Sequence, residues 1–293
     1  MLSGDWSSDV CSSDLLEALE SLLAQTFADF EILVSDNGST DATPEIARGF
    51  AARDPRVRYE RLESNIGAAA NHNRVFERTR GRYFKFASHD DIHLPNYIER
   101  TLAALDADPG AVLAYGRTRI IGEDGQPLKD DIFGGRHTAG SASAARRFYD
   151  VAYVQHQCFQ IFGLMRREAA RRSGMFLPIM SADRVLLGRM ALLGRFIEVP
   201  EILFLNQYHP AMSRKLMKRR YEYSLWFDPA NAGRVPRTAW TLYLEHWRSV
   251  LSARLGCLDT LGCLGVLLRW PWARARWRQL LLEILAPRRA AGC

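Results

Sequence analysis

The sequence predicts an α/β fold, a mostly parallel sheet flanked by helices, followed by a helical C-terminal extension. Two observations carry this. Between residues 16 and 115, short apolar runs closed by Asp, Asn, Gly or Pro alternate with amphipathic helical patterns, and strict strand–helix alternation builds parallel sheets covered on both faces. Carboxylates also fall where strands give out, the end at which open α/β sheets bind ligands.

The chain reads element by element from about Leu16. The preceding stretch, Gly4 to Leu15, has neither helical nor strand periodicity and resembles a translated sequencing-library adapter. Residues 1–15 are therefore expected to be an artefactual leader, the alternative being a disordered polar segment. An α/β domain normally begins with a strand, and this one begins with a helix, so an opening strand is expected to be missing. Leu16, Leu19, Leu22 and Leu23 give that helix, through Gln25. Phe30 to Ser35 is a strand closed by the turn Asp36-Asn37-Gly38-Ser39-Thr40-Asp41, and Pro44 and Glu45 open the next helix. Val57 to Leu62 is a strand, and Asn65-Ile66-Gly67 opens a helix through Thr79. Tyr83 to Ala87 is aromatic and apolar enough for a buried strand, after which come Ser88, His89, Asp90 and Asp91. Pro95 opens a helix over 95–107, leading to the strand Val112 to Tyr115.

Past residue 116 the rhythm loosens. Gly122 to Gly140 reads as a mobile loop, Phe159 to Met165 as a strand with a helix after it, and Ser181-Ala182-Asp183-Arg184 as the cap of a helix through Leu193. Phe196 to Val199 and Ile202 to Tyr208 read as strands ending at His209. Beyond 210 a basic run, Arg214 to Arg220, precedes largely helical sequence in which Trp240, Trp247, Trp270, Trp272 and Trp277 are interleaved with arginines. The expected organisation is a domain over 16–210 and a basic Trp/Arg-rich extension over 211–293.

Composition narrows the function classes. With 293 residues and 47% hydrophobic content the chain can bury a full core. A net charge of +6 favours anionic partners, namely phosphates or an anionic membrane surface; no nucleic-acid signature is present. The five cysteines contain no CxxC pair, which argues for a reducing compartment and against zinc. With neither a transmembrane run nor a secretory signal, the expected location is the cytoplasm, peripheral at the inner face of the membrane.

The site is expected at the strand ends. Adjacent carboxylates repel unless a cation sits between them and something anionic, which suits a hard divalent metal carrying phosphates; a solvated acidic turn is the plainer alternative. Asp36 ends one strand, Asp90 and Asp91 end another, and Asn65, Gly67, Asn71 and Asn73 mark a polar loop and an open helix start between them. Together these make a nucleoside-diphosphate site. By themselves, Asp183 reads as a helix cap, and His209 after a strand is more often a surface histidine than a ligand.

Four blocks now stand in one order: Glu17 to Thr26, Asp36 to Asp41, Asn65-Ile66-Gly67, and Ser88 to Asp91 with Pro95. In that order, residues 16–209 resemble a family 2 glycosyltransferase with the GT-A fold. The resemblance implies inverting, metal-dependent transfer of a sugar from a nucleotide-diphosphate sugar to a glycan or lipid-linked acceptor, in surface polysaccharide synthesis. It implies that Asp36 holds the base and ribose, with Asn65, Gly67, Asn73 and His89 around the donor. Asp90, supported by Asp91, would hold Mn2+ or Mg2+, with His209 reaching the metal or diphosphate, and Asp183 would be the catalytic base. The chain departs from the family pattern at Ser88, where many members carry the first Asp of the DxD motif, and at Asn37, usually Asp. A sugar-nucleotide-binding protein without turnover and a nucleotidyltransferase are the alternatives.

Overall fold

The computed structural model describes residues 10–122, 124–131, 139–154, 157–208, 220–234 and 236–285. Helix α1 (Val10–Leu23) leads into β1 (Ile32–Asp36), α2 (Thr43–Arg53), β2 (Val57–Arg61) and α3 (Ala68–Arg78). Then come β3 (Tyr83–Phe84), β4 (Asp91–His93), α4 (Tyr97–Ala107), β5 (Ala111–Ile121) and β6 (Pro127–Asp131). The short helix α5 (Ala144–Phe148) precedes β7 (Leu164–Arg166), α6 (Arg167–Arg172), α7 (Ala182–Leu193) and β8 (Arg195–Gln207). The chain continues with α8 (Arg220–Phe227), α9 (Thr238–Ser252), α10 (Cys257–Arg269) and α11 (Arg276–Leu285).

The α/β class holds, but the sheet is mixed rather than mostly parallel. β1 and β2 pair in parallel across the α2 crossover, in register from Ile32↔Val57 to Asp36↔Arg61. The other six strands run β3-β7-β5-β8-β4, with β6 on β5. Only β5/β8 is parallel there; β3/β7, β4/β8, β5/β6 and β5/β7 are antiparallel. For the β5/β6 pair the departure has a local cause. Gly122 and Gly125 close a tight turn, Gly125 at φ +72°, so the chain returns antiparallel as β6, where a loop was expected.

Other boundaries shift for similar reasons. The two strands expected around Pro200 are one, β8, which passes the proline where its register with Gly116 and Arg117 slips. The strand expected over Phe159–Met165 starts as a 3-10 turn, Phe159–Phe162, and becomes β7 only at Leu164. Helix α1 begins at Val10, six residues before the expected Leu16, and buries Leu15, Ala18, Leu19 and Leu22 while Leu16 is 41% exposed. That set is an i, i+3, i+4, i+7 face that takes in the end of the supposed leader.

The C-terminal helices are not a detached appendage. Phe148 of α5, Leu192 of α7, Val250 of α9 and Cys263 and Leu267 of α10 form one buried cluster. Among the described residues no helix is long and apolar enough to cross a membrane.

Between β1 and the 83–87 segment lies a cleft of about 700 Å3, walled by Ile32, Leu33, Tyr83, Phe84, Lys85 and Leu102. β1 is buried at all five positions, yet among the described residues it pairs only with β2, and β3 only with β7. An apolar strand buried on both faces ordinarily has partners on both edges. An extended, β-branched segment fused ahead of α1 is therefore expected to enter the cleft and raise the melting temperature. Unchanged melting, with unchanged hydrogen-exchange protection of the β1 amides, would count against it.

Candidate active site

The first wall of the site is a pair of clasped loops. Asp36, 1% exposed at the end of β1, accepts the Ser39 N–H at 2.7 Å and the Tyr59 hydroxyl at 2.7 Å, with the Arg61 guanidinium 3.5 Å away. Burial, then the bond to Asp36, pushes the Tyr59 phenol up to about 12. The Asn37 amide donates to Asn65 Oδ1 at 2.8 Å, and its own oxygen accepts the Ile66 N–H at 3.0 Å. Asn65 Oδ1 also accepts the Gly67 N–H. Asn37, which stands where the family usually has Asp, is thus one half of a reciprocal amide clasp.

Both glycines of these loops are required by the backbone. Gly38 has φ +84° and a Cβ there would stand 3.2 Å from the Asn65 nitrogen; Gly67 has φ +85° and a Cβ would meet the Phe227 carbonyl oxygen at 2.7 Å. Helix α8, which sequence reasoning assigned to the extension, therefore closes directly over the start of α3. Nothing in the sequence around Phe227 signals this contact.

The second wall is the block after β3. Asp91 is 1% exposed, starts β4, and accepts the Asn206 amide of β8 at 2.8 Å. Burial, with the neighbouring Asp90 carboxylate, pushes its carboxyl well above the usual range. Asp90 is half-buried and accepts the Ser88 hydroxyl. His89 is 6% exposed, and its Nε2 is buried with no hydrogen-bond partner among the described residues. Gln25 fixes this block from behind: its amide donates to the Leu94 carbonyl at 2.9 Å and its oxygen accepts the Ile98 N–H at 3.0 Å.

The remaining assigned residues sit elsewhere. Both ends of the Asn73 amide are spent on the Phe176 backbone, at 2.8 and 3.0 Å, so it shapes the 173–177 loop. Asp183 lies in the first turn of α7 behind Ser181, which makes no side-chain cap bond. The Cys158 thiol bonds to Asp183 and is pushed well up, by burial first and then by that carboxylate. The Tyr223 phenol of α8 is raised by burial and by Asp183 as well. His209 lies outside the described residues; β8 ends two residues before it, beside Asp91.

One pair escaped the sequence reading. Lys85 Nζ lies 2.6 Å from His93 Nε2 and donates to the Phe86 carbonyl at 3.0 Å. Burial lowers the ammonium to about 7 against the pull of Asp91, and burial with the Lys85 charge lowers the His93 imidazole well below its usual value. A lone lysine inside Tyr-Phe-Lys-Phe-Ala was the available signal.

A hard divalent cation fits this chemistry as a shared ligand rather than a caged one. Among the described residues no cluster of three His, Cys, Asp or Glu could hold a metal. Asp90, with the orphaned His89 Nε2 next to it in sequence, offers the sparse protein donor set of sites in which substrate phosphates supply further oxygens.

Residues 11–174 match the family model described as Glycosyl transferase family 2. The chain is 30% identical over 112 residues to the glycosyltransferase TuaG of Bacillus subtilis, named for teichuronic acid biosynthesis, covering 38% of this chain and 44% of that protein. It is 31% identical over 117 residues to an uncharacterized glycosyltransferase of Methanocaldococcus jannaschii, covering 40% of each. The chain spans less than half the length of these curated relatives. In fold it is similar to S. aureus TarS 1-349 in complex with UDP-GlcNAc, at TM-score 0.67 and 16% identity over 96% of this chain and 78% of that one. It is also similar to the mannosyltransferase PcManGT of Pyrobaculum calidifontis in complex with GDP-Man and Mn2+, at TM-score 0.51 and 15% identity over 97% and 82% of the two chains. These likenesses identify the fold as GT-A.

Lys85 gives a prediction with a definite sign. The unfolded chain keeps this lysine protonated up to its ordinary 10.5, while the folded protein releases the proton near 7. Between those values the unfolded state binds more protons, so stability rises with pH across the window. Lys85→Met is expected to flatten that rise and to melt higher than the parent below pH 7. Parallel melting curves for the two proteins across the window would place the amine in water instead.

Proposed function

This chain belongs to glycosyl transferase family 2, and from that premise we propose that it moves a sugar from a nucleoside-diphosphate donor to an acceptor hydroxyl. The acceptor is a glycan or lipid-linked carrier of surface polysaccharide synthesis, reached from the cytoplasmic face. The observations that carry this reading are the clasped Asp36–Ser39 and Asn65–Gly67 loops and the Asp90–Asp91 pair with one member buried, all within the matched stretch.

Each residue has a part. Asp36 orders the turn against which the base and ribose rest, Asn65 and Gly67 present the start of α3 to the diphosphate, and Asn73 holds the Phe176 loop at its rim. Asp90, aided by His89 and by His209, would hold Mn2+ or Mg2+, and Asp91 anchors that carboxylate to β8. A divalent cation bound there neutralises charge on the departing nucleoside diphosphate. Asp183 takes the proton of the acceptor hydroxyl as its oxygen bonds to the anomeric carbon. The bond from that carbon to the diphosphate oxygen breaks on the opposite face, so the configuration inverts. The Cys158 thiol bonded to Asp183 supports this role, since it orients the carboxylate at a helix start.

The test is a panel of UDP-, dTDP- and GDP-sugars with manganese or magnesium. Nucleoside diphosphate release is expected; pyrophosphate release would make the protein a nucleotidyltransferase, and tight binding without release a non-catalytic binder. Asp90→Asn is expected to abolish transfer and divalent-dependent nucleotide binding while the protein stays folded; undiminished metal dependence in that variant would remove the assignment.

Asp183→Asn separates base from helix-dipole partner. As base, its loss is expected to cut turnover roughly 10²–10⁴-fold with donor affinity and melting temperature preserved. As a first-turn carboxylate serving only the helix dipole, its loss would cost up to about 1 kcal/mol of stability with turnover per folded molecule unchanged.

A further inference from the structure

The tryptophans that mark the C-terminal sequence are mostly turned inward. Trp270 is 2% exposed, stacks on Tyr243 and lies under Arg276, while Trp240 and Trp247 are half-buried. Leucines take the outside instead. On α10, Leu258, Leu261 and Leu268 are 88%, 65% and 63% exposed, and Trp272 in the following turn is 71% exposed. With Gly265 they fall at i, i+3, i+7, i+10 and i+14, one stripe along the helix. The opposite face, Cys263, Val266 and Leu267, is buried. Helix α10 is thus apolar on both sides, where a water-facing helix carries polar residues on one. Trp277, Leu281, Ile284 and Leu285 continue exposed apolar surface on α11.

The charge around this stripe points to its occupant. Between residues 251 and 285 the only carboxylates are Asp259 and Glu283, and both are used internally. Asp259 accepts from Ser143 and from the Ala145 N–H, and Glu283, 7% exposed, accepts the Ala239 and Trp240 N–H groups. Arg254, Arg269 and Arg278 are exposed. Exposed leucines and tryptophan rimmed by arginine, with no free carboxylate, match a layer that is apolar inside and anionic at its surface. A protein partner of ordinary composition would be met by charges of both signs. Helix α10 has 13 residues, about 20 Å of helix, too short for a hydrocarbon core of roughly 30 Å.

We propose that the outer face of α10 and Trp272 docks onto an anionic lipid bilayer, lying in its interface. The proposal stands on this surface alone and survives failure of the transfer reading, because its test reads binding rather than turnover. The whole chain is sedimented with phosphatidylglycerol-containing vesicles and with pure phosphatidylcholine vesicles, at low and high salt. Binding to the first, weakened by salt, is expected, with a blue shift of tryptophan emission that Trp272→Ala diminishes. Arg254→Gln with Arg269→Gln is expected to weaken binding about thirtyfold, at roughly 1 kcal/mol per arginine near the surface. Leu261→Glu with Leu268→Glu should abolish it; both positions are exposed, and an unchanged circular dichroism spectrum confirms folding. Three results overturn the proposal: no vesicle binding at low salt, binding that both double variants leave unchanged, or a stable dimer that ignores vesicles and is dissociated by the leucine variants.

Discussion

Two adjacent carboxylates cannot both be buried and charged, and the fold resolves Asp90 and Asp91 by separating their environments. Asp91 goes inward, where the Asn206 amide receives it and burial pushes its proton affinity up. That bond joins β4, only three residues long, to the far longer β8. Asp90 is then left half-exposed at the mouth, its direction set by its neighbour and by the Ser88 hydroxyl. Ser88 replaces a charge with a donor that orients Asp90, so the departure from the family pattern has a local use.

The proposed donor side is held by amides. Asn37 uses both ends of its side chain and Asn65 Oδ1 accepts twice, tying a turn after β1 to the loop before α3 across nearly thirty residues of sequence. The three bonds of this clasp share two side chains, so each holds the others in place. Gly67 lets α8 approach closely enough to cover it. The helix following residue 219 is therefore part of the site's architecture, and a boundary at 210 marks a change in composition rather than the edge of a folding unit.

What the sequence made legible was local. β1, its Asp36 turn, α2, β2 and α3 follow from apolar period and turn chemistry, and each forms within a few residues of its expected bounds. Asp36, Asn65, Gly67, Asp90 and Asp91 could be picked out as candidates because they sit at element boundaries: Asp36 ends β1, Gly67 precedes α3 and Asp91 opens β4. The misreadings share another cause: they turn on partners far along the chain. Whether 83–87 pairs as a strand depends on what lies along its edges, and only Tyr83 and Phe84 find β7. Asn73 reads as a ligand until Phe176 takes its amide, 103 residues away. Lys85 and His93 are eight residues apart, but only the turn between them brings their nitrogens together.

The docking face and the chemistry are connected by polar bonds that run through the helices. Asp259 at the start of α10 holds the N-terminus of α5. Arg147 of α5, 6% exposed, donates to the Ala191 carbonyl of α7. Arg189 of α7 pairs with Glu245 of α9 at 3.0 Å. Asp183 opens that same α7. Buried charges bound on several sides do not slide past one another, because each intermediate position would strand a charge without a partner. Helices α5, α7, α9 and α10 therefore behave as one block, and the proposed docking of α10 would also fix the direction in which α7 presents Asp183. For the proposed base, a constant attitude to a membrane would suit the proposed lipid-linked acceptor.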